Sequence, residues 1–267
     1  MPHRLDQGRE RFRRLVSATN PALPKLPLVH STDAYAIGNI LDDAGKITPQ
    51  LCSVFEPERL TYLFYGRAAY RPNLAEEPTN LDHFLPVCLI FKVDASIKIK
   101  RVFPFDSGAF HHGFYKAYLH KNMRLGDFLL EADAESPGRI VRRFFTDNTN
   151  YIVGQKAVSD AYDPSQFEAK SYEMLIGAQG ANAMDSRGGG VEIQTDQPID
   201  MLKDVEAAVI PSSQARAQIG KRLADAGIEV IPYRTLGRLR PNEFTGGIYD
   251  KCLDYLCRKK LVDESRL

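Results

Sequence analysis

The sequence lacks an excess of charge of either sign. Its 267 residues include 35 Lys and Arg against 34 Asp and Glu, which leaves a formal net charge of +1. This balance excludes a histone-like polycation and an acidic solvating tail as descriptions of the whole chain. Hydrophobic residues make up 43% and charged residues 26%, which is typical of a globular protein and too apolar for a disordered one.

Long hydrophobic runs are also missing. The longest uninterrupted apolar run is Val87–Phe91, whereas a helix that spans a bilayer needs about 20 apolar residues. The first residues, Met1–Asp6, include basic side chains, but no apolar stretch follows them. The sequence therefore predicts neither a secretory signal nor a membrane segment, and we expect a cytoplasmic protein with no membrane partner.

Cysteines are few, and their spacing does not indicate a metal site. Cys252 and Cys257 are five residues apart on a predicted helix with no histidine nearby, which is an unusual spacing for zinc. The adjacent histidines His111 and His112 point about 100° apart on a helix and cannot readily converge on one ion. We expect all four cysteines to be reduced, small hydrophobic residues and the protein to contain no metal.

The strong catalytic signatures are absent as well. The chain contains no Walker loop, no dinucleotide fingerprint after a strand, no HExxH and no GxSxG. The glycine run at 188–190 precedes a predicted strand and does not open a helix, so it lacks the helix N-terminus that binds phosphate. A flexible hairpin or loop is the interpretation that it favours.

The predicted elements mix short strands and helices without a βαβ rhythm. Strands are predicted over residues 26–32, 61–65, 85–93, 98–103, 191–195, 207–210 and 228–232. Helices are predicted over residues 5–16, 34–41, 110–131, 166–178, 213–226 and 246–261. This pattern predicts an α+β fold with a largely antiparallel or mixed sheet. Because no linker is evident, we expect one domain over 1–267, with a basic helix within 1–20 and a helix-strand-helix extension over 213–267.

Three segments in chain order carry residue types suited to catalysis. The first is residues 29–32 (VHST), where a His and a Thr two positions apart end a strand and share one face. The second is residues 62–71 (YLFYGRAAYR), which is both aromatic and basic. The third is residues 186–195 (SRGGGVEIQT), where Glu192 opens an otherwise apolar strand.

This combination resembles the His-Tyr-Glu branch of the ADP-ribosyltransferase superfamily and looks most like the DarT-type toxins that modify nucleic acid. That branch has a first strand with His-x-Thr, an aromatic strand often followed by an Arg, and a Glu at the start of a late strand. The resemblance covers about residues 26–95 and 185–212. It implies an ADP-ribosyltransferase-like fold with a split, mainly antiparallel or mixed sheet flanked by helices, and NAD as co-substrate.

The resemblance also implies roles that fit the chemistry of the side chains. Breaking the bond between nicotinamide and ribose in NAD develops positive charge on the ribose, and a carboxylate that hydrogen-bonds a ribose hydroxyl stabilises that charge. Glu192 is expected in that role. His30 is expected to donate to a ribose oxygen of the adenosine half, with Thr32 hydrogen-bonding nearby.

A tyrosine of the second segment is expected to stack on the nicotinamide ring and so fix the leaving group. Tyr65 is the first choice and Tyr62 the second, because the register of this strand cannot be read from the sequence. Arg67 carries a planar guanidinium suited to a bidentate phosphate contact. Tyr70 is expected in the same NAD-binding group.

Each of these residues also has a structural interpretation. Apart from the resemblance, His30 is typical of a hydrogen-bonding structural histidine, Glu192 of an edge-strand charge and the tyrosines of core aromatics. The sequence also departs from the branch, since Gly190 stands where an arginine-modifying enzyme has a second acidic or amide residue. The acceptor is therefore left open. The glycine run predicts a mobile loop that faces the acceptor, with Arg187 at its base.

Basic and aromatic residues bear on the choice of acceptor. An aromatic segment at 103–120 has Lys116 and Lys121 near its rings, and a basic groove with an aromatic platform is typical of single-stranded nucleic-acid binding. Arginine clusters that could form basic surfaces are Arg9–Arg14, Arg139 with Arg142 and Arg143, and Arg234 with Arg238 and Arg240. A solvated face, a protein or small-molecule acceptor, and water are equally compatible with these residues.

Three functions therefore stand at this point. The first is an NAD-dependent transferase that moves ADP-ribose to a macromolecule such as DNA or RNA, in a toxin or anti-phage role and with an antitoxin or immunity protein as partner. The second keeps the fold but transfers to water or phosphate, which makes an NAD-degrading toxin. The third is a non-catalytic module that binds nucleic acid or protein.

Overall fold

The computed structural model describes residues 8–70, 77–157, 162–178 and 186–267. The predicted helix residues 5–7 and the side chains of Arg71 and Arg187 lie outside this description.

The strands are β1 (Leu28–Asp33), β2 (Lys46–Ile47), β3 (Gln50–Leu51), β4 (Arg59–Tyr65), β5 (Pro86–Phe91), β6 (Arg101–Phe103), β7 (Glu192–Thr195), β8 (Ile199–Asp200), β9 (Val205–Pro211) and β10 (Glu229–Tyr233). The α-helices are α1 (Arg11–Ser17), α2 (Ala34–Asp42), α3 (Ser107–His111), α4 (Ser136–Phe145), α5 (Asn148–Val153), α6 (Phe167–Ile176), α7 (Met201–Asp204), α8 (Ser212–Arg216), α9 (Gln218–Asp225) and α10 (Thr245–Arg258).

The main sheet has the strand order β10-β9-β5-β1-β4-β7-β6, and β3 pairs with β4 beside this path. Its neighbouring strands are antiparallel except for the parallel pair β9 and β10. A second, small sheet pairs β2 with β8. The α+β class with a mainly antiparallel sheet is therefore confirmed.

The main sheet splits between β1 and β4. Strand β1 pairs with β5 from Val29 to Asp33, but it pairs with β4 only at Leu28 and Val29. Beyond Val29 the strands β1 and β4 separate while both remain attached to their other neighbours. A gap therefore opens inside the sheet, between two strands that are adjacent in its order.

The helices cover the sheet and supply much of the core. Asp33 caps α2 by accepting the backbone N–H of Ala36 at 2.7 Å. Helix α1 buries Phe12 against Phe144 of α4 and Tyr172 of α6, with ring centroids 5.7 Å apart in both pairs. The basic N-terminal helix is thus held in place by an aromatic cluster.

The helix predicted over 110–131 is wrong. Helix α3 is only five residues long and ends at His111, because Gly113 adopts a left-handed φ of +75° that turns the chain away. Turns follow, then a short 3-10 helix at Leu125–Phe128. The alternation of aromatic and charged residues in this segment reflects partial burial of turns and not one continuous helix.

Two further elements differ in extent from their predictions. The helix predicted over 213–226 is divided into α8 and α9 at Ala217, whose ψ of −176° is extended. The strand predicted over 98–103 is reduced to Arg101–Phe103. Ahead of it, the backbone N–H of Ile97 donates to the carbonyl of Ala95 in a turn, and the chain reaches β7 at Lys100, whose N–H donates to the Gln194 carbonyl.

Within the described ranges, no helix is both long and apolar enough to cross a membrane. Those ranges also contain no group of three or more His, Cys, Asp or Glu side chains that could hold a metal ion. The cysteines are free thiols, and Cys257 is less deeply buried than the other three.

Candidate active site

Two adjoining clefts lie along β4, and the larger one reaches the split between β1 and β4. The larger, of about 620 Å³, is lined by His30 and Thr32 of β1 and by one side of β4. The smaller, of about 390 Å³, reaches Glu192 at the start of β7. Both volumes are typical of small-molecule sites. The clefts share a wall made of Leu51, Tyr62, Phe64 and Asp106.

His30 bridges the split in the sheet. Its Nδ1 lies 2.8 Å from the carbonyl oxygen of Tyr62, and because a carbonyl only accepts, Nδ1 carries the proton. Burial lowers the pKa of His30, although the hydrogen bond to Tyr62 raises it. The neutral ring therefore keeps a lone pair on Nε2. Nε2 can accept a hydrogen bond but not donate one, whereas the resemblance predicts that His30 donates.

Strand β4 presents its two predicted tyrosines to opposite sides of the sheet. Tyr62 and Phe64 line the clefts and pair across the strands with Gln194 and Glu192 of β7, so all four side chains share one face. Tyr65 lies on the other face, where it is 1% exposed. The structure thus brings Tyr62, the second choice, to the site, and it does not bring Tyr65 there.

Hydrogen bonds hold Tyr65 in the core. Its hydroxyl accepts the backbone N–H of Leu26 at 2.9 Å, and its carbonyl accepts from the hydroxyl of Tyr151 at 2.8 Å. Burial raises the pKa of Tyr65 to about 12. These contacts give Tyr65 a structural role in anchoring the segment that leads into β1.

Arg67 and Tyr70 line neither cleft. The Arg67 guanidinium donates to the carbonyls of Tyr151 and Gly189 at 3.3 and 3.4 Å, and it faces a separate cleft of about 310 Å³ beside α10. The ring of Tyr70 packs 6.3 Å from that of Tyr249 in α10. The predicted phosphate contact of Arg67 and the predicted NAD contact of Tyr70 are therefore not supported by the geometry.

Glu192 is the most elaborately held side chain of the site. It is 1% exposed, and its Oε2 accepts the backbone N–H of Ser107 at 3.0 Å. Its Oε1 accepts from the Ser107 hydroxyl at 2.7 Å and from the Gln194 amide at 2.7 Å. Three donors therefore fix the carboxyl group at the edge of the smaller cleft.

Burial and a neighbouring carboxylate perturb this acid. Desolvation, followed by the charge of Asp106, raises the pKa of Glu192 to about 8, and the hydrogen bonds from Ser107 and Gln194 oppose the shift. Burial likewise raises the pKa of Tyr62 far above its ordinary value, so Tyr62 stays a neutral phenol. Perturbed acids in a cleft are typical of functional sites.

A second layer of polar groups orients Gln194. The Arg101 guanidinium donates to Gln194 Oε1 at 3.2 Å, which directs the amide nitrogen of Gln194 toward Glu192 and Ser107. Arg101 is itself held by both carboxylate oxygens of Glu58, at 2.6 and 2.9 Å. Gln194 had a signal in the sequence, since residues two apart in a strand share a face.

Asp106 and Ser107 come from the segment between the recognised motifs. Asp106 caps α3 by accepting the backbone N–H of Ala109 at 2.6 Å, and it borders both clefts. Cys52 also lines the smaller cleft, and its Sγ lies 2.6 Å from the Tyr62 hydroxyl. The only signal for Asp106 was its position as a helix cap directly after a strand.

The rim of the smaller cleft is aromatic and exposed. Phe114, which is 50% exposed, and His112 lie there with their rings 6.1 Å apart. Lys116 and Lys121 line a neighbouring cleft of about 330 Å³. Gly188 and Gly189 lie in the short 3-10 helix Ser186–Gly189, and Gly190 follows in a bend, so the run forms a loop and not a hairpin. The predicted arginine surfaces are partly neutralised by ion pairs, which join Arg11 to Glu168, Arg13 and Arg14 to Glu10, and Arg139 to Asp133 and Glu135.

Comparison with known proteins found no matching family model, no similar curated protein and no similar solved structure.

Proposed function

We propose that the protein is an NAD-dependent ADP-ribosyltransferase. The observation that carries the proposal is the convergence of His30, Tyr62 and Glu192 on adjoining clefts, from the three neighbouring strands β1, β4 and β7. These residues come from the three segments that resemble the His-Tyr-Glu branch. The split of the sheet supplies the room that an extended dinucleotide needs.

The chemistry of the residues fits cleavage of the bond between nicotinamide and ribose. The Tyr62 ring on the shared wall offers a platform for the nicotinamide ring, which holds the leaving group in place. Nε2 of His30 accepts from a ribose hydroxyl. Glu192, when ionised, accepts from a ribose hydroxyl and stabilises the positive charge that develops on the sugar.

The acceptor in this proposal is a macromolecule, with DNA or RNA favoured by the rim. The exposed rings of His112 and Phe114 border the Glu192 cleft, and Lys116 and Lys121, which follow them in the sequence, line a separate cleft. Aromatic platforms with nearby cations stack bases and contact phosphates. Such an activity would be harmful to a cell, so the proposal includes a toxin or anti-phage role and an antitoxin or immunity partner.

The deciding experiment is incubation with NAD labelled in its adenylate half, together with single-stranded DNA, RNA and protein pools. Label on a macromolecule supports the transferase. Release of free ADP-ribose alone would instead indicate the NAD-degrading alternative. No turnover would indicate a non-catalytic binding module. Glu192→Gln serves as the inactive control.

The toxin role has its own test. A host that makes the wild-type protein is expected to grow poorly, while a host that makes Glu192→Gln at the same level grows normally. Normal growth with active wild-type protein would contradict the toxin role and leave the transferase activity standing.

A further inference from the structure

Asp106 is a second carboxylate at the candidate site, and it differs from Glu192 in position. Glu192 borders only the smaller cleft, whereas Asp106 lies on the wall that the two clefts share. Asp106 also lies outside the three sequence segments that resemble the family. Asp106 is 8% exposed, and its placement is fixed because it caps α3 through the N–H of Ala109. Its charge raises the pKa of both Glu192 and Tyr62, after the larger effect of burial on each, so it lies near both.

The two carboxylates are suited to different tasks. Both oxygens of Glu192 already accept hydrogen bonds, three in total, from Ser107 and Gln194. A carboxylate held in this way is well placed to stabilise charge. Asp106, in contrast, borders both clefts, so a group that enters from either one can reach it. Two acids that occupy different positions in one site commonly divide its acid-base roles.

We propose that Asp106 is a further catalytic residue, the general base that removes the proton from the attacking O–H or N–H of the acceptor. This inference rests on the proposed transferase function. In the step, the acceptor atom forms a bond to C1 of the nicotinamide ribose, and the bond from that carbon to nicotinamide breaks. The electron pair leaves with nicotinamide, which departs neutral, and the acceptor proton goes to the Asp106 carboxylate.

The test compares Asp106→Asn with the wild type. Asn also caps helices, so the variant keeps α3 and loses the base. It also loses the charge that raises the pKa of Glu192, so the rates are compared at a pH above that pKa, where Glu192 is ionised in both proteins. We expect the rate of nicotinamide release at saturating NAD to fall by roughly 10²–10⁴-fold, with NAD affinity and melting temperature unchanged. Asp147→Asn is the matched control, because Asp147 caps α5 in the same way and lines neither cleft. If Asp106→Asn does not fold, Asp106→Ser, which also caps, replaces it.

Azide separates a general base from a merely structural or electrostatic role. Azide attacks carbon as an anion and has no proton to lose, so it needs no base. Sodium azide is therefore expected to accelerate nicotinamide release by Asp106→Asn at least tenfold and to form ADP-ribosyl azide, while leaving Glu192→Gln inactive. Wild-type rates in Asp106→Asn, loss of its NAD affinity, or no response to azide would overturn the proposal. A wild-type protein that binds NAD without turnover would instead overturn the transferase function itself.

Discussion

Strands β7 and β9 are both buried in the same sheet, yet the side chains that they bury differ in polarity. Strand β9 places four consecutive apolar residues, 207–210, in the core. Strand β7 buries Glu192, Gln194 and Thr195 around a single apolar residue. A buried polar group costs about 1–3 kcal/mol when it lacks a hydrogen-bond partner, so β7 depends on partners that β9 does not need.

The difference shows where the sheet stabilises the fold and where it carries chemistry. The polar side chains of Glu192 and Gln194 are satisfied by Ser107 and Arg101, which lie on other elements of the structure. Such a network fixes the position of a carboxyl group more narrowly than apolar packing can. We infer that changes in β7 affect activity first, whereas changes in β9 affect stability first.

The largest expected effect is that of Glu192→Gln. The variant keeps the shape of the side chain but removes the negative charge, so we expect nicotinamide release to fall by roughly three to four orders of magnitude. Glu206→Gln in β9 is the matched control, because Glu206 pairs with Lys259 on the surface. Equal rates for Glu192→Gln and the wild type would remove the basis for distinguishing the two strands.

The pH dependence is the next largest effect. The pKa of Glu192 is raised to about 8, so the carboxyl group is protonated below that pH and cannot stabilise positive charge. The rate of nicotinamide release is expected to rise about tenfold per pH unit between pH 6 and pH 8 and then level off. His30, whose pKa is lowered, and Tyr62, whose pKa is raised, stay neutral over this range. A flat profile would show that ionisation of Glu192 is not required.

A smaller effect is expected from Gln194→Leu, which makes β7 more like β9. The variant removes the amide donor to Glu192 and leaves the Arg101 donor facing an apolar group. We expect a loss of activity of about tenfold and a shift of the pH profile to higher pH, since one group that favours the ionised carboxylate is gone. Gln197→Leu on the exposed turn after β7 is the control. A loss of activity without the shift in pH would indicate general disruption of the strand.

The smallest effect is expected for Ile210→Val in β9. Removing one buried methylene group costs about 0.5–1.5 kcal/mol of the free energy of unfolding, and Ile210 is fully buried. Chemical denaturation measures this loss, and the rate of nicotinamide release is expected to be unchanged. If activity falls by more than the loss of stability can explain, β9 is part of the site as well.

Much of the fold could be predicted from the sequence. Strands β5 and β9 follow from continuous apolar runs, and β7 at Glu192–Thr195 lies within the strand predicted over 191–195. Helices α6 and α10 lie close to their predicted ranges. Local patterning determines these elements because each is buried on the faces where its apolar residues lie.

The candidate site was less predictable, for two physical reasons. Tyr62 and Tyr65 are three residues apart in a strand, so one faces the cleft and the other the core, and both environments accept a tyrosine ring. Asp106 reaches the site only through long-range packing of α3 against β7, and no local pattern encodes such a contact. The resemblance indicated which strands form the site, and the tertiary structure determines which of their side chains line the clefts.

The hydrogen bond from His30 to the Tyr62 carbonyl has a kinetic consequence. A gap between two neighbouring strands would ordinarily tend to close, because each strand carries backbone groups that seek partners. Here the His30 side chain satisfies the Tyr62 carbonyl at the gap, which lowers the tendency of the two strands to close. A ligand therefore enters without first separating strands, and its association is expected to show one concentration-dependent phase with no slow opening step.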